Sequence, residues 1–192
     1  AVVDGETEFW YLQMIKRNER NIKVDIKPEI PQKKKLADQY IKVLELSKVY
    51  DKVIWIVDFD VILSESQKTK PNQRRVIDSF FEYKNSIEKK HKDIVLIINQ
   101  PCLELWLLLH FEYTAQQFTN CEGAEKILKR HLTDYLKSEK YFTKQDNDIY
   151  LKLKANLPKA ISNSKKSKAF DAESPYTGLT EMYKLFEAIE IP

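Results

Sequence analysis

Residues 53–60 read VIWIVDFD, a run of apolar residues that leads directly into two aspartates. Four of the first five residues are β-branched, and such a nearly continuous run is typical of a strand that is covered on both faces of a sheet. Residues 94–98, IVLII, form a second run of this kind. Apolar residues at helical spacing over 74–90 lie between the two runs. Buried strands separated by a helix predict a parallel sheet with helices packed on its faces.

The same alternation continues toward the amino terminus. The pattern predicts strands over 1–3 and 22–26 and helices over 6–18 and 36–50. The chain is therefore expected to form an α/β fold with a mostly parallel four-stranded sheet, of the broadly Rossmann-like kind. From residue 101 onward the spacing is helical, and we expect helices over 101–111, 123–136, 148–162 and 176–189. The predicted organisation is an α/β core over 1–111 and a helical C-terminal extension over 112–192 that packs on it.

Composition excludes several classes of protein. The 192 residues carry 32 Lys and Arg against 29 Asp and Glu, so the net charge of +3 does not fit a histone-like protein. No apolar run approaches the roughly 18 residues of a membrane span, which predicts that the protein has no membrane partner. Three glycines cannot supply a GxGxxG fingerprint or a Walker A loop.

The chain contains two cysteines, Cys102 and Cys121, and no CxxC spacing. This usage argues against a disulfide framework and against a cysteine-based zinc site. We expect Cys102 to be a small buried residue. A reducing, cytoplasmic location is the corresponding prediction.

Acidic residues follow the predicted strands. Asp4 ends the first strand with Glu8 one helical turn beyond it, Asp58 and Asp60 follow residues 53–57, and Glu104 begins the helix after residues 94–98. The carboxyl ends of parallel strands meet at one edge of a sheet, where sites form. Asp58 and Asp60 face the same side if the strand stays extended.

Several carboxylates at one place cannot all stay ionised without a compensating cation. Mg²⁺ or Mn²⁺ would supply that charge, because both ions prefer oxygen ligands. The open alternative is that these residues cap helices or complement helix N-termini, and that no ion binds.

These segments resemble two nested families. Residues 2–8, VVDGETE, and 55–60, WIVDFD, resemble the TOPRIM pattern, in which an acidic residue and a glycine lead a helix and a later strand supplies DxD. Residues 99–111, NQPCLELWLLLHF, and 174–177, SPYT, are similar to the RloB-like family within that group. The resemblance implies a TOPRIM-like nuclease of bacterial anti-phage defence that cuts DNA or RNA with Mg²⁺ or Mn²⁺. It also implies a possible partner ATPase encoded nearby.

The resemblance assigns roles to individual residues. The matching metal ligands are Asp4, Glu8, Asp58 and Asp60, with Asp4 at a position where the family usually has Glu. Glu104 lies in the RloB-like motif and is expected to act as a further ligand or as a general base. A catalytically degenerate TOPRIM-like module that binds nucleic acid or the ATPase is the alternative function.

Basic residues provide candidate phosphate contacts. The residues expected to bind nucleic acid are Lys68, Lys70, Arg74, Arg75 and Lys165. Lys166 or Lys168 is expected to stabilise the transition state. The alternative interpretation of each cluster is a solvated helix face.

Overall fold

The computed structural model describes residues 1–20, 35–167, 169–171 and 174–190. Within these residues the chain forms four strands and ten helices. In chain order they are β1 (Val2–Val3), α1 (Glu6–Asn18), α2 (Leu36–Ser47), β2 (Val53–Asp58), α3 (Phe59–Gln67), α4 (Val76–Lys90), β3 (Ile94–Gln100), α5 (Leu103–Leu109), α6 (Cys121–Leu128), α7 (Glu139–Phe142), α8 (Ile149–Lys154), α9 (Leu157–Lys166), β4 (Leu179–Thr180) and α10 (Tyr183–Ala188).

The sheet has the strand order β1-β2-β3-β4. The first three strands are parallel, and Asp58 at the end of β2 lies opposite Asn99 in β3. Strand β4 is antiparallel to β3. The predicted α/β fold with a mostly parallel four-stranded sheet is therefore confirmed. The predicted strand over 22–26 lies outside the described residues.

The fourth strand comes from a segment that the sequence assigned to a helix. Leu179 and Thr180 pair with Gln100 and Asn99 at the end of β3, and helix α10 begins only at Tyr183. The prediction of one helix over 176–189 was wrong because a two-residue strand is too short to show a period of its own. The C-terminal part of the chain thus completes the sheet as well as covering it.

Several further boundaries differ from the prediction, and the helix expected over 123–136 is α6, which ends at Leu128. Helix α3 begins directly after Asp58, so Asp60 lies in a helical turn and not on an extended strand. The helix predicted over 148–162 is divided into α8 and α9 at Ala155 and Asn156, just before Pro158 in the first turn of α9. Proline is tolerated in that turn, whereas in a helix interior it removes a hydrogen bond.

Successive side chains along the strands point alternately into two apolar cores, one on each face of the sheet. Ile56 contributes to the core beneath α1 and α5 to α10, where Trp106 stacks on Phe186 with ring centroids 5.4 Å apart. Trp55 and Phe80 belong to the core beneath α2 to α4. Alternate burial follows from the two-residue period of a strand. Among the described residues, no helix combines the length and the apolar character needed to cross a bilayer.

Candidate functional site

Five acidic side chains lie near the carboxyl ends of the strands. Asp4 follows β1, Glu8 lies in the first turns of α1, and Asp58 ends β2. Asp60 and Glu104 lie in the first turns of α3 and α5. Glu8 and Glu104 are only 2% and 1% exposed. These acidic residues therefore occupy the edge of the sheet where the sequence places them.

Glu8 folds back over the backbone of Gly5. A Cβ atom at Gly5 would lie 2.7 Å from Glu8 Oε2, so a side chain at this position would displace the carboxylate. Thr7 Oγ1 donates a hydrogen bond to the same oxygen over 3.1 Å. Glu8 Oε1 is buried and has no hydrogen-bond partner among the described residues. A buried oxygen of this kind costs free energy unless a donor or a cation reaches it.

The acidic residues raise one another's pKa values. Burial raises the pKa of Glu8 to about 7, with further contributions from the charges of Glu104 and Asp4. Burial also raises the pKa of Asp58 well above its usual range, and the charges of Glu8, Asp4 and Glu104 add to this effect. The pKa values of Asp4 and Asp60 are raised chiefly by burial. The four predicted ligands and Glu104 therefore share one electrostatic environment, which favours a cation.

Neutral amides hold two of the carboxylates in place. Gln39 on α2 donates to Asp4 Oδ1 over 2.7 Å, and the Trp55 indole donates to Gln39 Oε1 over 2.9 Å. Gln39 is 3% exposed. The sequence analysis missed Gln39 because its position in an amphipathic helix resembles that of any surface glutamine.

Asn99 contacts Asp58 from the neighbouring strand. Its Nδ2 donates to Asp58 Oδ1 over 3.3 Å, and its Oδ1 accepts a hydrogen bond from Thr180 Oγ1 over 2.7 Å. Since Thr180 must donate to the carbonyl oxygen, it orients the amide so that its NH₂ group faces Asp58. Strand β4 thus contributes to the site through Asn99.

Glu104 has two partners that sequence reasoning missed. Tyr135 OH donates to Glu104 Oε1 over 2.7 Å, and Lys137 Nζ lies 2.8 Å from the same oxygen. Tyr135 falls within the helix expected over 123–136, but α6 ends at Leu128, and both residues belong to the irregular segment between α6 and α7. Lys137 compensates a buried negative charge, because it is the cation nearest to Glu104.

Cys102 and Cys121 form a disulfide, with an S–S distance of 2.00 Å. The sequence argument against a disulfide was therefore wrong, whereas the expectation that Cys102 is buried is confirmed. Cys102 precedes α5 and Cys121 begins α6. The fold brings these two helix starts together across 19 residues of chain, which the spacing of the cysteines does not reveal. The Cys121 N–H also donates to Asp60 Oδ2 over 3.2 Å, so the disulfide adjoins the acidic site.

The predicted ligands surround a region that is wide for direct chelation. Among the described residues, the one trio of His, Cys, Asp or Glu side chains whose ligand atoms all lie within 4.8 Å of one another is Cys102, Glu104 and Cys121. Two of these atoms are disulfide sulfurs. An ion at the acidic site would therefore bind few carboxylates directly and keep several waters, as Mg²⁺ commonly does. The all-oxygen donor set and the unpartnered Glu8 oxygen fit such a hydrated ion.

Asp58 does not act as a helix cap. It occupies the N-cap position of α3, but its side chain makes no capping hydrogen bond. The N-cap of α1 is Gly5, which has no side chain to donate or accept. The alternative interpretation of the carboxylates as helix caps therefore receives no support at these two positions.

The basic residues after α3 are exposed. Lys68 and Lys70 lie on the surface, Arg75 pairs with Asp78 over 2.8 Å, and Arg74 pairs with Glu82. Both arginines thus contact the first turns of α4, on which their acidic partners lie. Nucleic-acid binding by these four residues stays a prediction.

The C-terminal lysines lie on α9 or beyond it. Lys165 pairs with Glu187 over 2.7 Å. Lys166 Nζ donates to Asn163 Oδ1 over 3.2 Å and lies 5.8 Å from the centre of the Tyr113 ring. None of these contacts involves an acidic residue of the site, and Lys168 lies outside the described residues. The roles assigned to these three lysines stay predictions.

Comparison with known proteins agrees with the resemblance noted in the sequence. A family model described as RloB-like protein matches residues 1–189. No curated protein and no solved structure gives a significant match. Because the family model covers nearly the whole chain, including every carboxylate of the site, the chain belongs to the RloB-like protein family.

Proposed function

We propose that this protein is a divalent-metal-dependent nuclease that hydrolyses phosphodiester bonds, on a TOPRIM-like version of its α/β fold. The supporting observation is Glu8, whose buried Oε1 lacks a partner among the described residues. Glu8 belongs to a group of carboxylates whose pKa values are raised. Burial of so many acidic groups at the edge of a sheet is costly. Cation binding gives a reason for that cost.

Asp4, Glu8, Asp58 and Asp60 would hold Mg²⁺ or Mn²⁺, in part through water ligands of the ion. When bound, the ion would lower the pKa of a water molecule and neutralise charge on the phosphate. Gln39 and Asn99 keep Asp4 and Asp58 oriented through hydrogen bonds of 2.7 and 3.3 Å.

Glu104 is the proposed general base. Tyr135 and Lys137 both hold its Oε1, which fixes the carboxylate. Oε2, against which Cys121 Sγ lies at 2.9 Å, is the oxygen that would accept a proton from the attacking water once that sulfur moves away. Lys166, Lys168 and Lys137 are the proposed residues that stabilise negative charge on the phosphate. Lys137 is included because its Nζ lies 2.8 Å from Oε1 of Glu104, the proposed general base.

The biological setting follows from the family resemblance and forms part of the proposal. It comprises anti-phage defence in the bacterial cytoplasm, with DNA or RNA as substrate and an ATPase as possible partner. Lys68, Lys70, Arg74, Arg75 and Lys165 would bind phosphates outside the scissile position, which would make binding weaken with salt.

The test is Mn²⁺ binding by calorimetry together with cleavage of DNA and RNA, with and without the neighbouring ATPase. We expect Asp58→Asn and Asp60→Asn to lower Mn²⁺ affinity and cleavage by about 100-fold or more, since removing even the partners of metal ligands costs 10- to 100-fold. Glu6→Gln is the matched control, because Glu6 is an exposed carboxylate on α1. Undiminished cleavage in both aspartate variants would remove these residues from the mechanism.

A second candidate function is a degenerate module that binds nucleic acid or the partner ATPase without cutting. The wide separation of the predicted ligands and the Asp at position 4 favour it. Such a module would bind nucleic acid but show no Mn²⁺ uptake that depends on Asp58. The same calorimetry therefore separates the two candidates.

A further inference from the structure

The disulfide lies against the proposed general base. Cys121 Sγ is 2.9 Å from Glu104 Oε2 and 3.1 Å from Lys137 Nζ. A disulfide sulfur has no hydrogen to donate, so its contact with Oε2 gives the carboxylate no hydrogen bond. It nevertheless occupies the space in front of that oxygen.

Both oxygens of Glu104 are therefore covered. Tyr135 and Lys137 take Oε1 at 2.7 and 2.8 Å, and Cys121 Sγ covers Oε2. Glu104 is 1% exposed, so with the sulfur in place its carboxylate is closed off from bulk solvent. The bond to Cys102, itself 2% exposed, keeps the sulfur there.

We propose that Cys102–Cys121 is a redox-modification site that exchanges with dithiols and controls access to Glu104. The oxidised form is closed, and reduction releases Cys121 and uncovers Oε2. The inference rests on the proposed function for the role of Glu104, but the existence of the exchange site does not depend on it.

The geometry indicates how the exchange proceeds. Cys121 is partly exposed and Cys102 is buried, so a thiolate of the dithiol attacks Cys121 Sγ. That step forms a mixed disulfide and releases Cys102 as a thiolate. The second thiol of the reagent then closes its own disulfide and releases Cys121 as a thiolate beside Lys137. Two electrons and two protons pass from the dithiol to the protein, which ends with two thiols.

A reduced pair could instead bind a soft metal ion such as Zn²⁺, with Glu104 as third ligand. Lys137 argues against this, because its ammonium group contacts both the Glu104 carboxylate and the Cys121 sulfur, at 2.8 Å from Oε1 and 3.1 Å from Sγ. The Lys137 ammonium group therefore already supplies a positive charge beside both of these would-be metal ligands. We therefore assign the pair to thiol–disulfide exchange.

The first measurement counts thiols on the full chain by mass spectrometry after maleimide labelling. Protein reduced with dithiothreitol should take up two labels, and protein treated with glutathione disulfide should take up none and carry no glutathione. Two labels, or a stable glutathione adduct, after oxidation would overturn the exchange site. The number of labels is unambiguous, because Cys102 and Cys121 are the only two cysteines in the sequence.

The second measurement compares Mn²⁺ binding by the two forms after dithiothreitol has been removed under anaerobic gas. We expect the reduced form to bind about tenfold more tightly, because the uncovered Oε2 can then accept a hydrogen bond from a water ligand of the ion, and partners of this kind change metal affinity by about 10- to 100-fold. The double variant Cys102→Ser with Cys121→Ser should bind equally in both buffers. The single variant Cys121→Ser, which cannot form the disulfide, should likewise bind equally in both buffers. Equal binding by both forms of the unmodified chain overturns control of Glu104.

Failure of the proposed function gives a different result. If neither form binds Mn²⁺, the nuclease proposal fails, and hydrogen exchange of residues 118–124 then decides the redox proposal. The Cys121 amide, which donates to Asp60, should exchange faster in the reduced form. An unchanged rate would show that the disulfide does not hold the start of α6 against the site.

Discussion

At the scale of single residues, Glu8 shows the stability cost of the buried carboxylates. Its carboxylate is buried over Gly5, one oxygen has no partner among the described residues, and its pKa is raised to about 7. A carboxyl group with a raised pKa stabilises the fold fully below its ordinary pKa near 4.5, and this contribution is lost as pH rises through 7. The metal-free protein therefore carries a destabilising charge at pH 8.

Glu8→Gln should raise the stability of the metal-free protein at pH 8 by about 1–3 kcal/mol, the usual cost of an unsatisfied buried polar group. The same change should abolish the increase in melting temperature that Mn²⁺ produces. Thermal unfolding with and without Mn²⁺ measures both effects, and Glu6→Gln is the control. A metal-free variant less stable than the unmodified chain would contradict this account.

His110 provides a second prediction at this scale. It is 1% exposed, its Nδ1 lies 3.0 Å from the Trp106 carbonyl oxygen, and burial lowers its pKa to about 4. The neutral ring is favoured in the fold, so its contribution to stability is present above pH 6.5 and is lost as pH falls through 4. Between pH 7 and 4 the unmodified chain should lose about 3 kcal/mol more than His110→Gln, as urea unfolding would show. Equal losses would mean that the ring is protonated in the folded protein.

At the residue level, the sequence predicted where the carboxylates lie, because they follow the ends of predicted strands. The carboxylates after β1 and β2 share one environment because parallel strands deliver their ends to one edge. Gln39, Tyr135 and Lys137 gave no comparable signal, since one lies in an amphipathic helix and two in an irregular segment. Their contribution depends on tertiary packing, which periodicity does not encode.

At the scale of elements, β4 connects the C-terminal segment to the acidic site. Thr180 Oγ1 donates to Asn99, and Asn99 in turn donates to Asp58. Without the hydroxyl group, the Asn99 amide can rotate and turn its carbonyl oxygen toward the carboxylate. A two-residue strand thereby fixes a polar contact on the neighbouring strand.

Thr180→Val keeps the side-chain shape and removes this hydroxyl group. We expect about tenfold weaker Mn²⁺ binding, because the loss of a group that orients a ligand typically costs 10- to 100-fold. Calorimetry measures the affinity, and circular dichroism checks that the sheet persists. Ser47→Ala is a suitable control, because its hydroxyl donates only to the Leu44 carbonyl oxygen in α2. Unchanged affinity would show that Asn99 keeps its orientation by other means.

The elements that the sequence predicted are those with enough length to show a period. Helix α1 matches its predicted range of 6–18, and β2 and β3 match the two apolar runs. Helix α3 was missed because only Phe59 and Ile62 are fully buried along its nine residues. Strand β4 was missed because its Leu179 also fits the helical spacing that continues through Leu185.

At the scale of the whole molecule, the core beneath α1 belongs to both halves of the chain. Trp106 and Tyr11 pack there with Phe142, Leu153 and Phe186 from beyond residue 111. The site is likewise shared, since Glu104 is held by Tyr135 and Lys137. Residues 112–192 thus supply interior surface and functional contacts, in addition to covering the first half.

A fragment of residues 1–111 alone should therefore fail to fold cooperatively. It would expose the apolar face that Phe142, Leu153 and Phe186 cover, at about 25 cal/mol for each Å² of apolar surface. Denaturant unfolding followed by near-ultraviolet circular dichroism is the measurement, with the intact chain as reference. A sharp transition in the fragment would show that the predicted division at residue 111 separates an independent domain.

The contact between Trp55 and Gln39 has a practical consequence. The indole donates to the same amide that donates to Asp4, so one side chain links a fluorophore to a carboxylate of the site. Any ligand that draws Asp4 away alters the electric field at the indole ring and hence the wavelength of its emission. Fluorescence of Trp55 therefore offers a way to follow ligand binding at Asp4 without attaching a dye.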